Sequence, residues 1–424
     1  GYVENFTSAT EVAGAANGQL SLEGNIKGKV YAVVHAKREV SSLRDLRAVG
    51  LLSRGIVRGL QFELVNDLVI TEEDYAAWEP INNFVHILKG RDHTISTAGI
   101  KSVSAKPIFN TIDTSGGIQN VNIEVRANIE ATEKYSALLV RENNGIISNV
   151  NVTYYGTIQA AQDNTEFEGV GVIAGINRVN GVITLSSVTL ASNDAIFSSI
   201  VANYAGAVAG VNNGRIDRTY ANVAANSNIE GKIAAGGIAG LNAEDGSGTI
   251  IGLNSSVDAS VTVSGNIVAP KVGGVVGINN NIITNIIADV DNIATQDDNA
   301  IFAGIAAESN GYIGSSTINW SADSLRKNIS KAAAVAVNAS GIIYDVNANV
   351  YGIIGAKEIA SGFIVNMDRS NINTADGALE KGYILSAMLN VDGSIVAGND
   401  SMQGVAVGFV YDNNATNNSI IVNI

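Results

Sequence analysis

The chain has 424 residues and no cysteine. That excludes disulfides, thiolate metal centres and a cysteine nucleophile. Proline occurs three times, which excludes collagen-like and Pro-rich linker character. Aromatic residues make up 6%, so a large core must be aliphatic. The three histidines are His35, His86 and His93. With none beyond position 93, a Ser-His-Asp triad in the body of the chain is excluded. No H-E-x-x-H occurs either, so the zinc site of that motif is absent. No apolar run reaches the ~18 residues of a membrane-spanning helix. Lys and Arg number 26 against 40 Asp and Glu, a net charge of −14, which argues against nucleic acid or an anionic membrane as partner. The basic residues are also unevenly placed. Residues 1–60 hold eight of them against five acids, and none follows Lys381.

What the chain does have is glycine, 45 residues, and 46% hydrophobic residues. The glycines recur in a motif. It reads Gly171-Val-Ile-Ala-Gly-Ile-Asn177, Gly206-Ala-Val-Ala-Gly-Val-Asn212, Gly236-Gly-Ile-Ala-Gly-Leu-Asn242 and Gly273-Gly-Val-Val-Gly-Ile-Asn279. The Asn-to-Asn spacings are 35, 30 and 37 residues. Degenerate copies occupy 136–142, 303–309, 332–338 and 404–408. An Asn-Gly or Ser-Gly turn often follows, at Asn144, Asn180, Asn213, Asn310 and Ser340, and then a β-branched segment such as Val346–Val350. A period of this size marks a solenoid. Short Val/Ile segments between Asn-Gly turns are strand chemistry. The expectation is an all-β parallel β-helix, one coil of about three strands per repeat, with ten to twelve coils. The motif glycines are expected at corners, some of which need positive φ, with small Gly and Ala on the inner face letting the coil narrow. The motif asparagines are expected stacked at one corner, and Val208, Ile238 and Val275 pointing inward. A phosphate cradle would need a following helix and a lysine, and the motif has neither.

Residues 39–62 differ. Ser42-Leu-Arg-Asp45 resembles a capping box, followed by Leu46 and Val49 on one face. A short helix covering the open apolar end of the first coil is expected here. The domain reading is an extension over 1–38, the capping segment over 39–62 and the β-helix over 63–424. Chain start at Gly1 without a signal-peptide pattern reads as a removed leader or a fragment.

Further parts follow in order: Leu64–Ile70, Trp78-Glu-Pro-Ile81, Gly90–Ser96, Pro107-Ile-Phe109 and Ile118–Ile123. Together with Ser42–Leu46 and the Gly-Gly-Ile-Ala-Gly-Leu-Asn repeats, this order resembles GLUG-motif bacterial surface proteins, over about residues 40–350. The resemblance implies a right-handed parallel β-helix in a secreted or cell-surface protein. That group includes adhesins and the non-catalytic region of IgA-specific metallopeptidases. No catalytic or cofactor-binding residues come with it.

Chemistry is sparse. Paired carboxylates are the remaining enzymatic route: Glu166/Glu168, Glu244/Asp245, Asp289/Asp291 and Asp297/Asp298. The set Asp289, Asp291, Asp297 and Asp298 offers hard oxygen ligands for calcium; solvated surface acids are the plainer alternative. Tyr154, Tyr155, Trp320 and Tyr344 are candidates for a sugar platform, with strand packing as the alternative. The functional expectation is a structural or adhesive β-helix: a surface adhesin, or the subunit of an extracellular filament assembling head to tail, with a host or matrix glycan as possible ligand. The alternatives are a polysaccharide lyase or hydrolase and a non-catalytic spacer of a larger surface protease.

Overall fold

A computed structural model describes residues 38–52, 58–97, 104–161, 164, 166–192, 198–245, 247–252, 260–292, 299–324, 329–368, 382–399 and 402–413. Among these residues the chain is a parallel β-helix. Three large sheets hold 18, 13 and 10 strands, here sheets I, II and III. The antiparallel pair among the described residues joins Ser394–Asn399 to Met402–Gln403.

One coil shows the path. Ser199–Gly206 runs in sheet II, and Ala209–Asn212 in sheet III. Arg215–Asp217 and Tyr220–Val223 then run in sheet I, before the chain returns to sheet II at Asn228–Gly236. The coil therefore has four strands, one more than expected, because an extra corner divides sheet I. At that corner the backbone is left-handed at Asn120, Asn149, Leu185, Arg218, Asn285, Ser315, Asp345 and Ser386, with φ between 45° and 55°. None of these is glycine. Asn and Asp tolerate this region, and the stacked neighbours hold Ser315, Ser386, Leu185 and Arg218 there against their preference.

Sheet I begins with Glu39–Val40, which pairs with Glu63 and Leu64. The rungs above it start at Gln61, Ile87, Gly117, Ile146, Val182, Arg215, Thr249, Ile282, Tyr312, Ile342 and Tyr383. With Glu39–Val40 that makes twelve rungs, a rod roughly 50 Å long at ~4.8 Å per rung. The core runs continuously from Val40 to Phe409. Val208, Ile238 and Val275 occupy equivalent positions in it, each at most 1% exposed. Their amides step along the axis, Val208 to the Ile238 carbonyl at 3.0 Å and Ile238 to that of Val275 at 2.8 Å.

Helix α1, Leu43–Leu52, is inserted between the first two rungs. Ser42 Oγ accepts from the Asp45 amide at 3.2 Å, and the Asp45 carboxylate accepts from the Ser41 amide and hydroxyl at 3.0 and 2.8 Å. Both ends of the cap are thereby satisfied. Leu46 and Val49 are buried in the same core cluster as Phe62 and Leu64. The other end differs: the last described rungs expose Met388, Val391, Val405 and Tyr411 by 42–45%. The extension expected over 1–38 lies outside the described residues, apart from residue 38.

Candidate functional site

The motif builds a seam where sheets II and III meet. The corner residues Val208 and Ile238 point into the core, while the flanking strands meet each other outside it. Two glycine columns allow this. A Cβ on Gly210 would meet backbone of Gly169 and Val170, on Gly240 that of Tyr204 and Ala205, and on Gly277 that of Ala235, all closer than 3.0 Å. On the facing strands, a Cβ on Gly171, Gly206, Gly236 or Gly273 would strike backbone of sheet III just as closely. None of these glycines has a positive φ; among the described glycines only Gly59, Gly156, Gly382 and Gly398 do. The corner reading of the motif glycines is therefore corrected. They are required for close backbone approach, and left-handed corners fall to other residues.

Further along the rod the columns change. Gly273 is followed in register by Ala303, Ala333 and Ser361. The positions after Gly277 are Ala307, Val337 and Val365, read from the adjoining register of Val276, Ala306, Ala336 and Ile364. Ala303, Ala333, Val337 and Val365 pack as a cluster of their own, separate from the main core. The degenerate late repeats thus close the same seam with side chains instead of backbone.

Beside the seam the asparagines form a buried ladder. Asn143 Nδ2 donates to Asn177 Oδ1, Asn177 to Asn212, Asn212 to Asn242 and Asn242 to Asn279, each at 2.8 Å. Asn279 ends it on Ser309 Oγ at 3.1 Å. All six residues are fully buried. Asn143 and Ser309 were not singled out by sequence. Asn143 lies 34 residues before Asn177, inside the repeat spacing, and that was the available signal.

Outside the seam, Ile176, Val211 and Leu241 pack with Tyr135, Tyr204 and Ile278 in a second apolar cluster. Charges ring it. Lys134 Nζ and the Arg178 guanidinium sit 5.3 and 5.4 Å from the Tyr135 ring centre. Arg178 also donates to Glu142 at 2.8 and 3.1 Å, and Arg141 pairs with Glu133 at 2.7 Å. Burial, and then the Glu168 and Glu244 carboxylates, push the Tyr204 hydroxyl above its ordinary pKa. Burial followed by Glu244 does the same at Tyr135. Two acids from different candidate pairs, Glu168 and Glu244, are thus brought around one tyrosine. A tyrosine acting as base at neutral pH needs the opposite shift. Neither tyrosine was picked out by sequence, because each comes from a different coil and only the stacking joins them.

The remaining candidates separate. Asp289 and Asp291 lie on the outer face of one strand end. Asp289 accepts from Asn319 Nδ2 at 2.8 Å and heads an outer amide ladder through Asn349 and Asn390; Asp291 accepts from Ser264 at 3.3 Å. Asp297 and Asp298 lie outside the described residues, so of the four-carboxylate calcium set only Asp289 and Asp291 are described. Among the described residues no three His, Asp or Glu side chains converge as metal ligands. Two members of the sugar platform are corrected. Trp320 is fully buried, donating to the Ala322 carbonyl at 3.0 Å, and Tyr154 is buried with its hydroxyl on the Ala127 carbonyl at 2.7 Å. Tyr344 is 45% exposed, and Tyr155 lies under Arg126. His93 sits 3.1 Å from Asp67, and the hydrogen bond from the Thr94 amide, joined by His93, holds the Asp67 carboxyl below its usual range.

No family model matches the chain, and no curated protein matches it. Among solved structures, the crystal structure of "a putative immunoglobulin A1 protease from Bacteroides ovatus" is similar over 71% of this chain and 84% of its own, with 17% identity and a TM-score of 0.41.

Proposed function

We propose that the chain is a structural and adhesive β-helix of a bacterial extracellular surface, a rigid stalk, adhesin or fibre subunit. The twelve-rung stack carries this reading, since its seam and amide ladder are directed to rigidity along one axis. Contacts to a glycan or to further copies then fall on the ends and loops. The exposed apolar side chains of the last described rungs support head-to-tail association. Electron microscopy of the purified protein is expected to show rods that associate end to end, and removal of the extension, residues 1–38, is expected to abolish the association. Monomers at high concentration with and without that segment would overturn the assembly part.

A non-catalytic spacer of a larger surface protease calls for the same rigidity. A polysaccharide-active enzyme is favoured by one observation, the gathering of Glu168, Glu244 and Lys134 about Tyr135 and Tyr204. The raised tyrosine pKa values oppose it. The expected result on a panel of neutral and acidic polysaccharides is no turnover. Cleavage that is lost in Glu168→Gln would replace the structural reading.

A further inference from the structure

His86 is the buried histidine among the described residues, with no exposed surface; no described group makes a well-formed hydrogen bond to either ring nitrogen, and the Leu52 carbonyl at the end of α1 is the polar group that acts on it. The side chains around it are apolar. The Phe62 and Phe84 rings meet it edge-on, with centroids 5.5 and 6.1 Å away. Phe62 belongs to the rung directly above Glu39–Val40, the core that Leu46 and Val49 of α1 share. On its other side the His86 carbonyl accepts from the Gly117 amide at 2.8 Å, the start of the next long rung. The imidazole therefore sits where the capped end joins the body.

The charged groups on the surrounding elements are engaged elsewhere or turned outward. On α1, Arg44 is exposed, Asp45 is held by Ser41, and Arg47 donates to the Asp74 carbonyl beneath the Trp78 ring. Glu63, on the strand of Phe62, pairs with Arg91. Asp113, which follows the rung above Phe84, pairs with Arg58 at 3.4 Å. Burial lowers the His86 pKa, and the Leu52 carbonyl at the end of α1 offsets part of that; no charged side chain acts on it. A proton on this ring would be a buried cation with the Leu52 carbonyl beside it and no counter-charge among the described residues, a cost that opening relieves.

We propose that His86 is an acid-operated latch: its protonation releases α1 and the first rungs from the body, which stays stacked. The sign follows from linkage. The folded pKa lies below the unfolded value of ~6.5, so the opened state binds more protons below that pH. The contribution of His86 to closure is complete above pH ~6.5 and is lost as the pH falls. Each pH unit below ~6.5 raises the opening constant up to about tenfold for as long as His86 stays neutral in the closed state. A latch at the capped end would let an acidic environment expose the first strand edges, the natural site for strand addition by another chain.

Hydrogen exchange read by mass spectrometry at pH 7.5 and 5.0, corrected for intrinsic rates, tests this on the full chain. Opening of residues 39–97 is expected to rise about tenfold or more relative to residues 199–290. His86→Phe keeps the ring contacts and is expected to abolish the rise, whereas the double variant His35→Gln/His93→Gln keeps it. Equal opening at both pH values, or an unchanged rise in His86→Phe, would overturn the proposal. Should that variant not fold, NMR titration of the parent decides. An imidazole of His86 that protonates while residues 39–97 remain closed also overturns it.

Discussion

Gly240→Ala is expected to destabilise the rod by about 3 kcal/mol or more, and Gly240→Val to prevent the central coils from stacking. The new Cβ would stand 2.5 Å from the Ala205 amide nitrogen and 2.7 Å from the Tyr204 carbonyl carbon. Those atoms cannot retreat, because Tyr204 and Ala205 pair with Gly169 and Val170 on one side and with Ala234 and Ala235 on the other. Relief would mean pulling sheet III away from sheet II, which breaks the rungs on both sides of the substitution. The same column near the C-terminal end behaves differently. Val337 already fills the seam with its side chain, so Val337→Ala leaves only a small void and should cost about 2 kcal/mol. Denaturant unfolding of the two variants checks the contrast. Equal midpoints for Gly240→Ala and the parent would mean that the seam is not closed by backbone contact.

The second large effect belongs to the buried amide ladder. Asn212 accepts from Asn177 and donates to Asn242, both at 2.8 Å, with a further contact to the Thr249 carbonyl at 3.3 Å. Asn212→Ala removes the donor from Asn242 Oδ1 and the acceptor from Asn177 Nδ2, and should cost roughly 2–4 kcal/mol. Asn212→Asp keeps the size but sets a carboxylate against the Asn242 carbonyl oxygen in a site with no exposed surface. At pH 7 it should cost about 3–5 kcal/mol. Its pH dependence has a definite sign. Burial and the facing acceptor raise the folded pKa of the new carboxyl above its unfolded value of ~3.9. The protonated form can donate to Asn242, so the penalty relaxes as the pH falls, opposite to the acid opening at His86. Thermal melts of this variant between pH 7 and 4.5, each referred to the parent at the same pH, should converge on acidification. A gap that stays constant would show that the ladder is not buried as described.

The class of fold was legible because parallel coils stack like upon like. Each residue of the motif meets its own counterpart one period away, so the repeat spacing of 30–37 residues is itself the list of neighbours. The aliphatic core positions and the asparagine column follow from that local pattern. The helix over the first coil was legible for another local reason, since a capping box needs only residues three or four apart. What lay between sheets was hidden. The motif glycines look the same whether a corner needs positive φ or two backbones must touch, and only the approach of sheet III to sheet II decided for touch. Leu185 and Arg218 carry no turn signature, because their left-handed backbone is imposed by the stacked corners around them. Tyr135, Tyr204, Glu168 and Glu244 come from coils tens of residues apart, and no local spacing predicts their meeting. Trp320 and Tyr154 look alike in sequence to exposed strand aromatics, and only the inward face of their strands buried them. The repeating sequence determines what stacks along the axis; the closing of each coil around that axis brings sheets together across it, and this depends on corner geometry that the period does not encode.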